Sequence, residues 1–248
     1  MTSERIADMQ SRQQLNDQRP VQTTLEHALM AGRARVFSNP GVDALRAMVV
    51  DADASAFAAF PRARQANVLY AAAFAASRLR DAAATTRLLG RLDAAVAGDA
   101  TGSRLARLLA AQIALAQGDT ARVLRTVDPE SKRRPELLLT AQAQVQSGKA
   151  AEAAQRLQTW VATQPRDAAA WQLLSAAYAA QGQSVRAVRA EAEARVAQLD
   201  YTAALDRFKA AQDLVRKGAG GADHIEASII DTRARQVESA LREQALER

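Results

Sequence analysis

The chain has 248 residues, of which roughly a quarter are Ala and 4% are aromatic. Ala has the strongest intrinsic helix propensity and adds almost no bulk at a helix crossing, so this composition favours closely packed helices. The absence of cysteine excludes a disulfide framework and a thiolate metal site, and no apolar run is long enough for a membrane span. The net charge of +6 and the pI near 10.3 raise the question of nucleic-acid binding.

Helical periodicity runs along most of the chain, and clusters of Gly, Pro and Asp interrupt it. No segment shows the sustained alternation that is typical of strands. The sequence therefore predicts an all-α protein, with its strongest break at residues 98–102. The predicted helices are, in chain order, 3–14, 21–37, 42–50, 56–79, 81–96, 103–116, 120–128, 135–147, 150–163, 168–180, 183–198, 200–216 and 223–246.

Several residues recur when the chain is shifted by 34 positions. Gly148 then falls on Gly182, and Ala153 falls on Ala187. A period of about 34 residues, with two helices in each period, is typical of the tetratricopeptide (TPR) repeat. We therefore expect a TPR-like superhelix of stacked antiparallel helix hairpins, in which each hairpin buries its apolar face against its neighbours.

The residue types at the recurring positions fit the TPR signature. Small residues allow two helices to approach closely, large ones fill the space between hairpins, and the glycines supply the turn conformation. Ala204 and Phe208 repeat the second half of the signature only half a period after Ala187. This spacing indicates either that one helix serves two hairpins or that a short irregular repeat intervenes. The signature residues are Gly148, Ala153, Leu157, Pro165, Trp171, Leu174, Tyr178, Gly182, Ala187, Ala204 and Phe208.

A peptide-binding groove is expected along the first helix of each repeat. The residues six positions before the turn glycines are Gln112, Gln142 and Ala176, and Gln146 and Gln172 fall on the same side. Gln side chains can hydrogen-bond the backbone of an extended peptide. The alternative is that these Gln side chains are only solvated.

Short segments also resemble a known protein family. They are Thr2 to Met9, Gln164 to Asp167, Trp171 to Leu174, Ala190 to Ala194, Leu205 to Phe208, and Asp231, Arg233 and Gln236. They resemble the C-terminal TPR domain of bacterial periplasmic zinc metallopeptidases of the β-barrel assembly-enhancing protease type. The resemblance is strongest over slightly less than the C-terminal half of the chain. It implies a fragment of such a protease, which begins just beyond the catalytic domain.

The catalytic motif of that family has no counterpart here. The family's peptidase domain carries His-Glu-x-x-His, in which two histidines hold zinc and the glutamate acts as a base. The two histidines of this chain, His27 and His224, lie far apart, and Glu26 precedes His27. We therefore expect no catalytic centre, no metal site and no cofactor in this chain, with zinc only in the missing peptidase domain.

The repeat pattern and the resemblance together give a domain plan, and the resemblance implies partners and a compartment. Residues 1–20 would be a linker or short helix after the peptidase domain, 21–101 degenerate TPR-like hairpins, 102–217 TPR repeats and 222–248 a capping helix. The expected partners are outer-membrane proteins in assembly, the assembly machinery and the peptidase domain of the same polypeptide. The implied location is the periplasm.

Two other hypotheses remain open at this stage. The first is a stand-alone TPR adaptor without a protease. The second is a basic helical-repeat protein that binds RNA or DNA through its arginines. The only tight basic cluster is Lys132-Arg133-Arg134, and the chain shows neither a basic stripe nor interleaved stacking aromatics. We therefore expect proteins or peptides as partners, and not nucleic acid.

Overall fold

A computed structural model of the chain describes Arg5, residues 23–218 and residues 224–246. This part contains twelve α-helices and no β-strand, which confirms the all-α prediction. The chain divides into two compact units, Met1–Ala106 and Arg107–Arg248. The helix predicted at 3–14 and the linker predicted at 1–20 lie outside the described residues, apart from Arg5.

The first unit is built around one Ala-rich helix. Its first four helices are α1 (Leu25–Ser38), α2 (Val42–Asp51), α3 (Arg62–Arg78) and α4 (Ala82–Val96). Helices α1, α2 and α4 all pack against α3. Because three neighbours surround α3, Ala66 and every residue from Val68 to Ala76 are buried.

A glycine brings α1 and α3 close together. A Cβ added at Gly32 would lie 2.6 Å from the backbone oxygen of Asn67, which no real side chain could tolerate. The Asn67 side chain donates a hydrogen bond of 2.8 Å to the Ala28 carbonyl on α1. The absent side chain at Gly32 is therefore what permits this helix crossing.

The predicted helix over 56–79 was too long at its beginning. Residues Ser55–Ala59 form a short 3-10 helix, and α3 begins only at Arg62. Pro61 stands at the N-cap of α3, and Phe60 before it is extended, with φ −72° and ψ 144°. A residue that precedes proline is disfavoured in the helical region, so Pro61 separates the two helical segments.

In the second unit, each helix from Thr120–Thr126 onward packs against the next one along the chain. Helix α5 (Ala100–Ala116) contains the boundary between the units, and α6 (Thr120–Thr126) follows it. The break predicted over 98–102 was too long, because Gly102 lies inside α5. The Asp99 side chain accepts a hydrogen bond of 2.5 Å from the Gly102 N–H and so stabilises this helix start.

Two successive hairpins have identical helix lengths, and the second follows the first by one period. The first consists of α7 (Arg134–Gln146) and α8 (Ala150–Thr163), and the second of α9 (Ala168–Ala180) and α10 (Ser184–Ala197). Helix α9 contacts α7, α8 and α10. The chain then continues through α11 (Tyr201–Arg216) and α12 (His224–Leu246).

The buried positions of α9 and α11 also recur at the interval of one period. Ala170 and Leu174 correspond to Ala204 and Phe208, and all four are buried. Helix α11 is thus the counterpart of α9, the first helix of a hairpin. The second-half signature at Ala204 and Phe208 and the two explanations of the half-period spacing stay predictions.

The signature residues lie mainly in the packed interior. Gly148 and Gly182 have φ values of +81° and +73°, and Pro165 lies in the loop before α9. Trp171 is half-buried against the core. The fully buried members are Ala153, Leu157, Leu174, Tyr178, Ala187, Ala204 and Phe208.

Most of the tight turns combine a left-handed residue with a polar helix cap. In four turns an Asp follows the left-handed residue and its side chain caps the next helix, as Asp81 does for α4, Asp99 for α5, Asp119 for α6 and Asp200 for α11. Arg80 and Leu199 occupy the left-handed position in two of them, with φ of 60° and 62°. Glycine is therefore not required at every turn of this chain.

Helix α12 is held by apolar and ionic contacts together. Ile230 and Val237 pack in a core cluster with Phe208 of α11. Arg233 donates two hydrogen bonds of 2.7 Å to the Glu193 carboxylate on α10. Helix α12 lies within the range 222–248 that was predicted as a capping helix. The capping role of α12 stays a prediction.

Candidate functional site

Four of the five expected groove residues lie on α7 and α9, and we call this set the α7–α9 row. It consists of Gln142, Gln146, Gln172 and Ala176, which are all exposed. Helices α7 and α9 contact each other. Since Gln142 and Ala176 are one period apart, they occupy equivalent positions on these neighbouring helices. The fifth expected residue, Gln112, is half-buried on α5.

The chemistry of the row suits the backbone of another chain. A Gln side chain offers two N–H donors and a carbonyl acceptor. The N–H donors can bond the backbone carbonyls of an extended peptide, and the carbonyl acceptor can bond its backbone N–H groups. The small side chain of Ala176 adds little bulk to the row. The row can therefore accept a peptide backbone without demanding a particular side chain.

Asp167 joins three helices near one end of the row. It is the N-cap of α9, where its side chain accepts a hydrogen bond from the Ala170 N–H. Arg134, at the start of α7, donates two hydrogen bonds of 2.7 and 2.8 Å to it. The indole N–H of Trp160 on α8 donates a third side-chain hydrogen bond of 3.0 Å.

These donors stabilise the ionised form of Asp167. The Arg134 guanidinium, aided by Trp160 and the Ala170 N–H, holds the pKa of Asp167 below its ordinary value, although burial acts in the opposite direction. The sequence indicated Asp167 as part of the break before α9 and of the segment Gln164 to Asp167 that carries the family resemblance, and not as the centre of these contacts. An Asp directly before a helix is a recognisable cap signal, but its partner Arg134 is 33 residues away and no local pattern indicates it.

Residues of α8, α9 and α10 line a separate groove, which we call the α8–α10 groove. Its volume is about 460 Å³. Exposed Ala162 of α8 lies at its edge, and the buried side chains of Val161 and Leu174 lie beneath it. Trp171 and Tyr178 of α9 line it with aromatic rings. At 100° per residue, these α9 side chains point to a different side of the helix from Gln172 and Ala176.

The far side of this groove is charged. Arg186 and Arg189 of α10 and Glu226 of α12 line it. Arg189 is hydrogen-bonded to Glu226, and the Arg186 Nε lies 3.7 Å from the same carboxylate. The side chains of Arg189 and Glu226 are only 14% and 9% exposed, whereas Arg186 is 40% exposed. Two guanidinium groups thus share one carboxylate.

The described residues contain no group of three or more His, Asp or Glu side chains arranged to hold a metal ion. His27 lies on α1 in the first unit, and His224 begins α12 in the second. His27 lines a groove of about 600 Å³ together with Thr23, Arg64 and Asn67. His27 is the only side chain among these with a typical metal-binding nitrogen.

No protein-family model matches this chain, and a comparison with curated proteins finds no match either. Within the described part of the chain, no helix is both long enough and apolar enough to cross a bilayer.

Proposed function

We propose that this chain is a TPR-type helical-repeat module that binds other proteins. The observation that carries the proposal is the recurrence of two hairpins with the same helix lengths, Arg134–Gln146 with Ala150–Thr163 and Ala168–Ala180 with Ser184–Ala197. The interval between them, together with left-handed glycines in both turns, is typical of TPR proteins. Stacked repeats of this kind present extended surfaces for binding.

The α7–α9 row is the surface we propose for the partner. Its exposed Gln side chains would hydrogen-bond an extended segment with little sequence preference. Such a surface suits clients that are not yet folded, because their backbone groups are still accessible. A module of this type raises the effective concentration of a client near any domain to which it is attached.

The partners we propose follow from the family resemblance. They are outer-membrane proteins in assembly, the assembly machinery and a zinc peptidase domain of the same polypeptide, with the periplasm as the compartment. In this proposal the chemistry belongs to the peptidase domain, and this chain supplies only the binding surface. A stand-alone adaptor would use the same row without a protease.

The test is a binding titration with a fluorescently labelled, urea-unfolded outer-membrane β-barrel protein diluted into buffer. We expect the triple substitution Gln142→Ala, Gln146→Ala and Gln172→Ala to weaken binding at least about tenfold, the equivalent of 1.4 kcal/mol. The matched control replaces three other exposed glutamines by Ala: Gln117, Gln155 and Gln164. Equal affinity of the triple variant, the control and the original chain would refute the row as the binding surface.

The same titration distinguishes the nucleic-acid alternative. A single-stranded 20-mer oligonucleotide is used as the second probe, and both affinities are measured between 50 and 200 mM salt. Arginines that contact phosphates would give a loss of roughly a thousandfold or more over this range. We expect the unfolded protein to be bound with a shallow salt dependence. Steep, tight binding of the oligonucleotide would favour the alternative.

A further inference from the structure

Two loops of the second unit meet at the starts of α7 and α9. The loop before α7 carries Lys132 and Arg133, and the loop before α9 carries Arg166. Arg134, the first residue of α7, donates two hydrogen bonds to Asp167, the N-cap of α9. Since Arg133 directly precedes Arg134 and Arg166 directly precedes Asp167, this contact holds the two loops next to each other. We call Lys132, Arg133 and Arg166 the basic loop surface.

The three side chains of the basic loop surface are available to a partner, because the fold does not use them. All three residues are exposed. Among the described residues, none of the three side chains forms an ion pair or a hydrogen bond. Two neighbouring arginines differ in this respect, since Arg134 is bonded to Asp167 and Arg156 of α8 donates to a loop carbonyl at 3.3 Å.

Hydrogen bonds fix the backbone of both loops. The Ser131 N–H donates to the Asp128 carbonyl at 3.2 Å, and the Ser131 hydroxyl accepts from the Arg133 N–H at 3.3 Å. In the other loop, the Trp171 indole N–H donates to the Pro165 carbonyl at 2.9 Å. A surface whose backbone is already ordered loses less conformational freedom when a partner binds.

The charge and the size of this surface indicate the class of partner. Asp128 and Glu130 are the unpaired carboxylates of the same loops, and the three free cations together with Arg156 outnumber them. An anionic partner is therefore favoured. Tight, salt-sensitive binding of nucleic acid takes about six to ten phosphate contacts, which is at least about twice what three cations can supply. A short acidic stretch of protein matches the surface better.

We propose that the basic loop surface binds a short acidic segment of a partner protein. Asp or Glu side chains of the segment would pair with Lys132, Arg133 and Arg166. Each exposed pair contributes little alone, so the binding depends on all three pairs together. The surface contains no residue of the α7–α9 row, so this inference does not depend on that row being functional.

The test is a fluorescence-anisotropy titration of the full chain with two labelled peptides of about ten residues. Ser alternates with Glu in the first peptide and with Gln in the second. We expect the Glu peptide to bind at least about tenfold more tightly, and the variant Lys132→Gln, Arg133→Gln and Arg166→Gln to lose about tenfold in affinity for it. The control has the same net charge and replaces three other exposed cations that have no ion pair among the described residues: Arg78→Gln, Arg107→Gln and Lys209→Gln.

Three results would overturn the proposal. Equal losses in the loop variant and the control would show that only the net charge of the protein matters. Equal affinity for the Glu and Gln peptides would show that carboxylates are not recognised. A single-stranded 20-mer oligonucleotide that binds more tightly than the Glu peptide, and that the loop variant no longer binds, would assign the surface to nucleic acid.

A variant that gains affinity completes the test, because a folding defect would not produce a gain. Glu130→Gln removes an unpaired carboxylate from the loop of Lys132 and Arg133, so the Glu peptide should bind about twofold more tightly. Asp206→Asn on α11 is the control for the loss of one negative charge. The same gain in both variants, or no gain in Glu130→Gln, would contradict binding at these loops. The triple Gln→Ala variant of the α7–α9 row should bind the Glu peptide like the original chain, and a loss there would place the binding on the row.

Discussion

The hairpin of α7 and α8 and the hairpin of α9 and α10 share one backbone plan but differ in the chemistry of their interiors. Their helices have the same lengths and recur after one period. Ala170, Leu174 and Tyr178 are buried in α9, and the equivalent buried residues in α7 are Glu136, Thr140 and Gln144. Helix lengths and turns thus set the shape of a repeat, and several side-chain types can occupy its interior.

The polar interior of the first hairpin is only partly satisfied. Gln144 donates a hydrogen bond of 3.1 Å to Glu152 of α8. The Thr140 hydroxyl and the Gln144 side-chain carbonyl have no hydrogen-bond partner among the described protein atoms. Buried polar atoms without partners lower stability, so the first hairpin is expected to be the less stable of the two.

The largest effect is expected from making the second hairpin resemble the first. Leu174→Thr removes apolar contacts at a position that is 1% exposed and buries a hydroxyl, so it should cost about 3 kcal/mol of unfolding free energy. Urea denaturation measures this cost, and Leu174→Met is the volume-matched control, expected to cost less than about 1.5 kcal/mol. A cost below about 1 kcal/mol for Leu174→Thr would mean that the two interiors tolerate polarity equally.

A smaller effect is expected at Asp167, which joins the two hairpins. Asp167→Asn keeps an N-cap side chain but loses the charge-assisted bonds to Arg134, so it should cost about 1–2 kcal/mol at pH 7. The pKa of the Asp167 carboxyl group is lowered in the folded protein. Its stabilising contribution is therefore complete above the ordinary aspartate value of about 4 and disappears as the pH falls through the folded-state pKa.

Urea denaturation at several pH values between about 2 and 7 checks this assignment. The original chain should lose stability below pH 4 more steeply than Asp167→Asn does. Arg134→Gln removes the main cause of the lowered pKa and should flatten the same part of the profile. A profile that is unchanged in both variants would show that other groups control the acid response.

The smallest expected effect is a gain. Thr140→Val replaces the unpartnered hydroxyl by a methyl group of similar size, so the unfolding free energy should rise by about 1 kcal/mol. Thermal denaturation is sufficient to detect it. Ser175→Ala is the opposite control, because the Ser175 hydroxyl donates a hydrogen bond of 2.8 Å to the Ala187 carbonyl. A loss of stability in Thr140→Val would show that this hydroxyl is satisfied in solution.

The helices of the second unit could be predicted well because their boundaries are encoded locally. Gly148 and Gly182 interrupt the helical pattern, and the predicted ranges 150–163 and 168–180 coincide with α8 and α9. Gln142 was chosen by its distance from Gly148 and Gln172 by its side of the helix, and both are exposed. Local turn chemistry and a fixed interval carry this information without any tertiary contact.

The groove and the ionic contacts could not be predicted in the same way. The 3-10 helix Ser55–Ala59 depends on long-range support, since Arg91 donates to the Ala52 carbonyl and stacks over Phe57. Gly102 looked like a break, although the Asp99 cap keeps it within a helix. Sequence periodicity also gives no measure of the space between α8 and α10, which depends on side-chain packing.

The ionic contacts of the second unit have a consequence for how the chain folds. Three of them join residues that are about one repeat apart, so that forming one closes a loop of modest length and costs limited chain entropy. Low sequence separation between contacting residues is associated with fast folding, and repeat proteins can nucleate at more than one place. The separations are 33 residues for Arg134 and Asp167, 37 for Arg189 and Glu226, and 40 for Arg233 and Glu193.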